Sequence, residues 1–120
     1  MTPRKKVVEQ WGDCFNRQDW RGMLAHMTDD IERHEVGAPG RTRGKEAFER
    51  NMRPGPDVAS MRSTISRMTE EGEVVVAEGS VVLTKKDGSS MNILFCDIFE
   101  FEGDKIRRQT SYAGVEPVTP

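Results

Sequence analysis

The sequence predicts an α+β domain in which three N-terminal helices pack on one face of a curved sheet of antiparallel strands. Two observations carry this. Apolar residues recur at helical spacing through the first third of the chain, and from Val58 onward the period changes to two. In that second part Glu71-Gly72, Asp87-Gly88 and Gly103-Asp104 interrupt the alternation at hairpin intervals.

Thr2 is placed to cap a first helix whose opening turn holds Pro3, where a missing N–H costs nothing. Val8, Trp11 and Phe15 then fall at i, i+3 and i+7, a stripe on a helix running to about Arg17. Asp19 is the expected cap of a second, shorter helix with Trp20, Met23, Leu24 and Met27 as its apolar face and Asp29-Asp30 as its end. A short strand is expected over 31–37, and "GAPGRTRG" reads as loop from its glycines and proline. "KEAFERNM", with Phe48 and Met52 four apart, gives a third helix stopped by Pro54, Gly55 and Pro56. Four strands follow, at 58–70, 73–85, 90–102 and 105–115.

With 120 residues, the chain is long enough for one core but not two, so residues 1–120 are expected to form a single domain. Charged residues make up 32%, yet the net charge is only −2, which gives no reason to expect nucleic acid as a partner. The basic N-terminus lacks an apolar stretch of signal length, and no later segment is long enough to span a bilayer, so a cytoplasmic protein without a membrane partner is expected. Cys14 and Cys96 are far apart and read as free thiols. His26 and His34, the two histidines, are eight apart with no cysteine nearby, so no metal is expected.

Asp97 is the residue that asks for an explanation. It interrupts "NILFCDIFEF", where burying an ionised carboxylate costs several kcal/mol unless partners or chemistry account for it. With Gly103-Asp104 as a two-residue loop, Asp97 is expected opposite Thr110. It then shares a face with Phe95, Phe99 and Phe101, and across the strand with Ile106, Arg108 and Tyr112. With Asp87-Gly88 as the other loop, Glu78 falls directly opposite Asp97. Three readings stand: a site carboxylate, a buried ion pair with Arg108, or a side chain turned to solvent.

Two stretches resemble a known superfamily. "FCDIFEFEGDKIRRQTSY" is similar to the last hairpin of the nuclear-transport-factor-2-like fold, especially of its SnoaL-like polyketide cyclases and ketosteroid isomerases. "NRQDWRGMLAHMTDDIERHEVG" resembles the segment joining their early helices to the first strand. The resemblance implies a cone-shaped, mixed but mainly antiparallel sheet closing on a pocket under the helices. Asp97 matches the pocket aspartate, which in ketosteroid isomerase, a worked case of this chemistry, stays protonated and donates to an oxyanion. His34 falls where the isomerases carry their general base, and Trp11 near their oxyanion tyrosine. "AEGSVV" lacks the Arg-x-Asp pair of the epoxide hydrolases.

From this come the expectations tested below. Asp97 and His34 are the expected catalytic pair, with Trp11, Phe15, Trp20, Phe48, Met52, Glu78, Phe95, Phe99 and Tyr112 around the substrate. The expected function is cofactor-free isomerase or cyclase chemistry on a small apolar, carbonyl-bearing molecule, the alternative being a non-catalytic binding or dimerisation module. Leu94, Cys96 and Ile98, with Val75, Ala77, Val81 and Leu83 on the next strand, are expected on the outer sheet face as the contact of a homodimer.

Overall fold

The structure is a computed structural model and describes residues 1–117. Helix α1 (Pro3–Asn16) starts as its sequence dictates: Thr2 Oγ1 accepts from the Lys5 amide at 3.2 Å, and Pro3 opens the first turn. Its buried side is Val8, Trp11 and Cys14. Helix α2 (Trp20–Ala25) is capped by Asp19, whose Oδ1 accepts from the Gly22 amide at 2.9 Å. This helix is shorter than expected. Met27 and Asp29-Asp30 belong instead to strand β1 (Met27–Glu35), where Met27 is buried and pairs with Ile106. Helical spacing and a buried strand start cannot be told apart from one methionine.

After β1 comes β2 (Thr42–Arg43), a two-residue strand inside the stretch expected as loop, paired with Glu32 and Arg33. Then α3 (Lys45–Met52) spans the predicted residues and ends before Pro54. Four long strands complete the chain: β3 (Val58–Glu71), β4 (Val74–Lys85), β5 (Ser90–Glu102) and β6 (Lys105–Val115). The sheet order is β2-β1-β6-β5-β4-β3, with β1 parallel to β6 and every other pair antiparallel. The sheet is curved and unclosed. Among the described residues no helix is long and apolar enough to cross a membrane.

The helices cover the concave face. Phe48 from α3, Trp11 and Val8 from α1, Met23 from α2, and Val75, Phe99, Phe101 and Ile106 from the sheet form one buried cluster. Asn16 fastens the end of α1 to β3 in both directions, donating to the Ser63 carbonyl at 2.9 Å and accepting from the Ser63 amide at 2.7 Å.

Both hairpins flanking β5 differ by one residue from the sequence expectation. The β4–β5 loop has three residues, Lys86, Asp87 and Gly88. The Lys85 amide donates to the Ser89 carbonyl at 2.8 Å, and Gly88 supplies the positive φ of +90°. Ala77, not Glu78, therefore faces Asp97. The β5–β6 turn is the expected two-residue Gly103-Asp104, but the register slips between Glu100 and Phe101, leaving Arg107 as a bulge. Ser111, not Thr110, is then opposite Asp97, and every β6 side chain beyond the bulge changes face.

The outer face is corrected in the same way. Val75 and Ala77 are buried in the core, Val81 lies on their side of β4, and Leu83 follows by alternation. The convex face instead carries Val76 and Val82 beside Leu94, Cys96 and Ile98, with Tyr112 across from Cys96. Cys14 and Cys96 are free thiols.

Candidate functional site

Between α1, the end of α3 and the concave sheet lies a cavity of about 240 Å³. One side is apolar and aromatic: Trp11 and Phe15 from α1, Met52 from α3, and Phe95 and Phe99 from β5. Trp11 meets Phe99 edge to face, with ring centroids 5.2 Å apart. The other side is a polar strip from three neighbouring strands: Arg33 and Glu35 of β1, Gln109 and Ser111 of β6, and Asp97 of β5.

Asp97 is the buried centre of that strip, only 8% exposed. Gln109 Nε2 donates to its Oδ2 at 3.1 Å, while Arg33 Nε donates to Gln109 Oε1, also at 3.1 Å. On the far side of the guanidinium, Arg33 Nη1 is 3.6 Å from Glu35 Oε2. Oδ1 of Asp97 is buried and has no hydrogen-bond partner. Burial pushes the Asp97 carboxyl above its ordinary value; the Ser111 hydroxyl, the Arg33 charge and the Gln109 amide oppose that rise, and Glu35 adds to it. Although Ser111 lies close enough to act on the charge, its hydroxyl does not complete a well-formed bond to Oδ1. The Trp11 indole N–H is likewise buried without an acceptor.

Six of the residues expected around a ligand line this cavity: Asp97, Trp11, Phe15, Met52, Phe95 and Phe99. Phe48 is fully buried and supports Trp11 from behind, with ring centroids 6.4 Å apart. Trp20 packs edge-on against Phe15 at 6.4 Å, outside the lining. Glu78 lies on the convex face in an ion pair with Arg67. Tyr112 is on that face too, 48% exposed, because the Arg107 bulge turns it away from Asp97. Arg108 is turned with it: its partners are Glu32 at 3.4 Å and Glu100 at 3.6 Å, not Asp97.

His34 does not line the cavity. It pairs with the outward-facing Thr110, whereas its neighbour Arg33 pairs with the inward-facing Gln109. Arg33, Glu35, Asn51, Ser63, Gln109 and Ser111 are the polar lining residues that the sequence reading missed. For the first two a signal existed, because alternation counted from the fully buried Ile31 puts both on the inner face. For Gln109 and Ser111 the bulge erased it. Among the described residues, no three His, Cys, Asp or Glu side chains gather as they would around a metal ion.

The model of the SnoaL-like domain family matches residues 8–109. Solved structures share the fold at low sequence identity. A nuclear-transport-factor-2-like protein of unknown function from Burkholderia pseudomallei is 22% identical, covers 97% of this chain and 92% of its own, and has a TM-score of 0.80. An LEH-like epoxide hydrolase from M. tuberculosis is 21% identical, covering 93% of this chain and 83% of its own, at a TM-score of 0.81. A protein with a ketosteroid isomerase-like fold from Catenulispora acidiphila, in complex with trimethylamine, is 14% identical over 88% and 83%, at 0.79. No curated protein matches the sequence significantly.

Proposed function

Because this chain belongs to the SnoaL-like domain family, whose fold serves isomerases, cyclases and epoxide hydrolases, we propose that it is a cofactor-free enzyme of isomerase or cyclase type. Its substrate is a small, largely apolar molecule bearing a carbonyl group, held in the concave cavity. The observation that carries this reading is Asp97: a buried carboxyl with raised proton affinity and one unpartnered oxygen, in an otherwise aromatic wall.

In the proposed reaction a base removes a proton from the carbon next to the carbonyl, and the electron pair moves onto the carbonyl oxygen. Protonated Asp97 donates a hydrogen bond to that developing oxyanion, and the Trp11 N–H supplies a second donor. The abstracted proton returns to a different carbon, or the carbanion closes a ring by attacking a second carbonyl. His34 faces the other side of the sheet, so Glu35 takes the base role in this scheme. It is the only carboxyl besides Asp97 among the cavity-lining residues described. A cavity of about 240 Å³ suits a small-molecule ligand.

A thermal-shift panel of monocyclic ketones, enones and phenols tests the binding half. Proton NMR in deuterated water tests the chemistry, since an enzyme of this kind exchanges the hydrogen next to the carbonyl. A ligand that binds with no exchange above the buffer rate favours the alternative, a binding module.

The assembly proposal is a homodimer through the convex face. Val82, Leu94 and Tyr112 are each nearly half exposed there, beside Val76 and Ile98. Such a patch on a sheet face is commonly covered by a second copy.

A further inference from the structure

We propose that Arg33 is a positioning residue for Asp97, acting through Gln109 by fixing which end of the Gln109 amide meets the carboxyl. This deepens the reading of Asp97 as the acid of the site and rests on it.

The two ends of a glutamine amide differ only in what they can bond to. A guanidinium has donors and no acceptor, so the amide atom facing Arg33 Nε must be the oxygen. The nitrogen is then left to donate to Asp97 Oδ2. Gln109 is 1% exposed, so no water competes for either end. Arg33 is itself held, with its side chain 15% exposed and Glu35 on its other edge.

Orientation matters because each end of the amide favours one state of the acid. The N–H end stabilises the carboxylate and opposes the effect of burial. The oxygen end would accept a proton from Asp97 and hold it neutral. Arg33 therefore selects the orientation that limits how far burial raises the proton affinity of Asp97, which keeps the acid a stronger hydrogen-bond donor than an amide facing the other way would. The charged groups acting on Asp97 are Arg33 and Glu35, both from β1. β4 presents Ala77 opposite it, β6 presents Gln109 and Ser111, and α1 presents Trp11 to the same cavity.

The test is a carbon-13 titration of the Asp97 carboxyl in the wild type, Arg33→Met, Gln109→Leu and the double variant. Arg33→Met is expected to raise the Asp97 midpoint in both backgrounds, because its charge also acts directly, but by clearly less when Gln109 is already leucine. An equal rise in both backgrounds would mean that Arg33 acts by charge alone and would overturn the inference, as would no rise at all. The wild type supplies a check that needs no substitution: the Gln109 side-chain NH₂ resonances should move with the Asp97 midpoint, and resonances that stay still contradict the proposal. A wild-type midpoint at or below the ordinary aspartate value would instead sink the functional reading, so the two failures are distinct.

Discussion

Gln109 donates a 3.1 Å hydrogen bond to Asp97 between two side chains that are both buried. That single bond only partly offsets the cost of an ionised carboxylate there, because burial raises the Asp97 pKa despite it. The folded protein therefore holds this proton more tightly than the unfolded chain. The resulting stability is complete at low pH and is lost as pH climbs from the unfolded value towards the folded one. Asp97→Asn, which mimics the neutral acid, should melt above the wild type at pH 7. The gap should close towards pH about 4, near the ordinary aspartate value. Melting curves across that range by circular dichroism check the sign; a variant that melts lower at pH 7 would show that the charge is stabilising.

Gly79 faces Phe95 on the concave side of β4. A Cβ built there would stand 2.0 Å from the Thr64 carbonyl oxygen and 2.8 Å from Phe95 Cζ. Gly79→Ala should therefore cost about 1–3 kcal/mol, the usual price of overpacking. Urea unfolding gives the number, and an unchanged midpoint would mean that β3 yields freely.

Asn16 ties α1 to β3 through two bonds to Ser63. Asn16→Ala leaves the Ser63 amide and carbonyl without those partners and should lower stability by about 1–3 kcal/mol. The α1 amides should also exchange with deuterium faster than in the wild type. Unaltered exchange would show that the apolar contacts alone hold the helix.

The split between faces predicts which substitutions matter to a ligand. His34→Gln, Glu78→Gln and Tyr112→Phe alter side chains away from the cavity and should leave ligand-induced thermal shifts unchanged. Trp11→Phe reshapes the aromatic wall of the cavity and removes a buried, unpartnered N–H, and should weaken binding several-fold. Loss of binding in the first group would place the ligand on the convex face.

On the convex face itself, light scattering should give about twice the 13.6 kDa mass of the chain. Ile98→Glu should halve it, because Ile98 lies amid Val76, Leu94 and Tyr112. A wild type of single-chain mass contradicts the dimer, and a dimeric Ile98→Glu variant contradicts this interface.

The fold was legible because its signals repeat. Helix caps at Thr2 and Asp19 and the Pro54 stop fell where the sequence placed them, and the three glycine-bearing turns fell there to within one residue. Asp97 and the aromatic wall were legible for the same reason, since β5 alternates with large residues that can face only the core. What failed was phase. The second half of β6 contains few large apolar residues, so no hydrophobic alternation fixes its faces, and on β1 the resemblance placed His34 at the site although alternation from Ile31 turns it away. The three-residue loop at Lys86–Gly88 and the bulge at Arg107 each moved a strand by one residue. Those two single-residue shifts sent Glu78 and Tyr112 outward and brought Ser111 and Gln109 in.

The measurement that bears most directly on the central claim, that Asp97 is a buried acid in the wall of the concave cavity, is the carbon-13 titration of its carboxyl in the wild-type protein. A midpoint clearly above about 3.9, the reference for a free aspartate, is the expected result. A midpoint below that value would mean that Asp97 is held as a carboxylate by its neighbours, and the acid role proposed for it would fall.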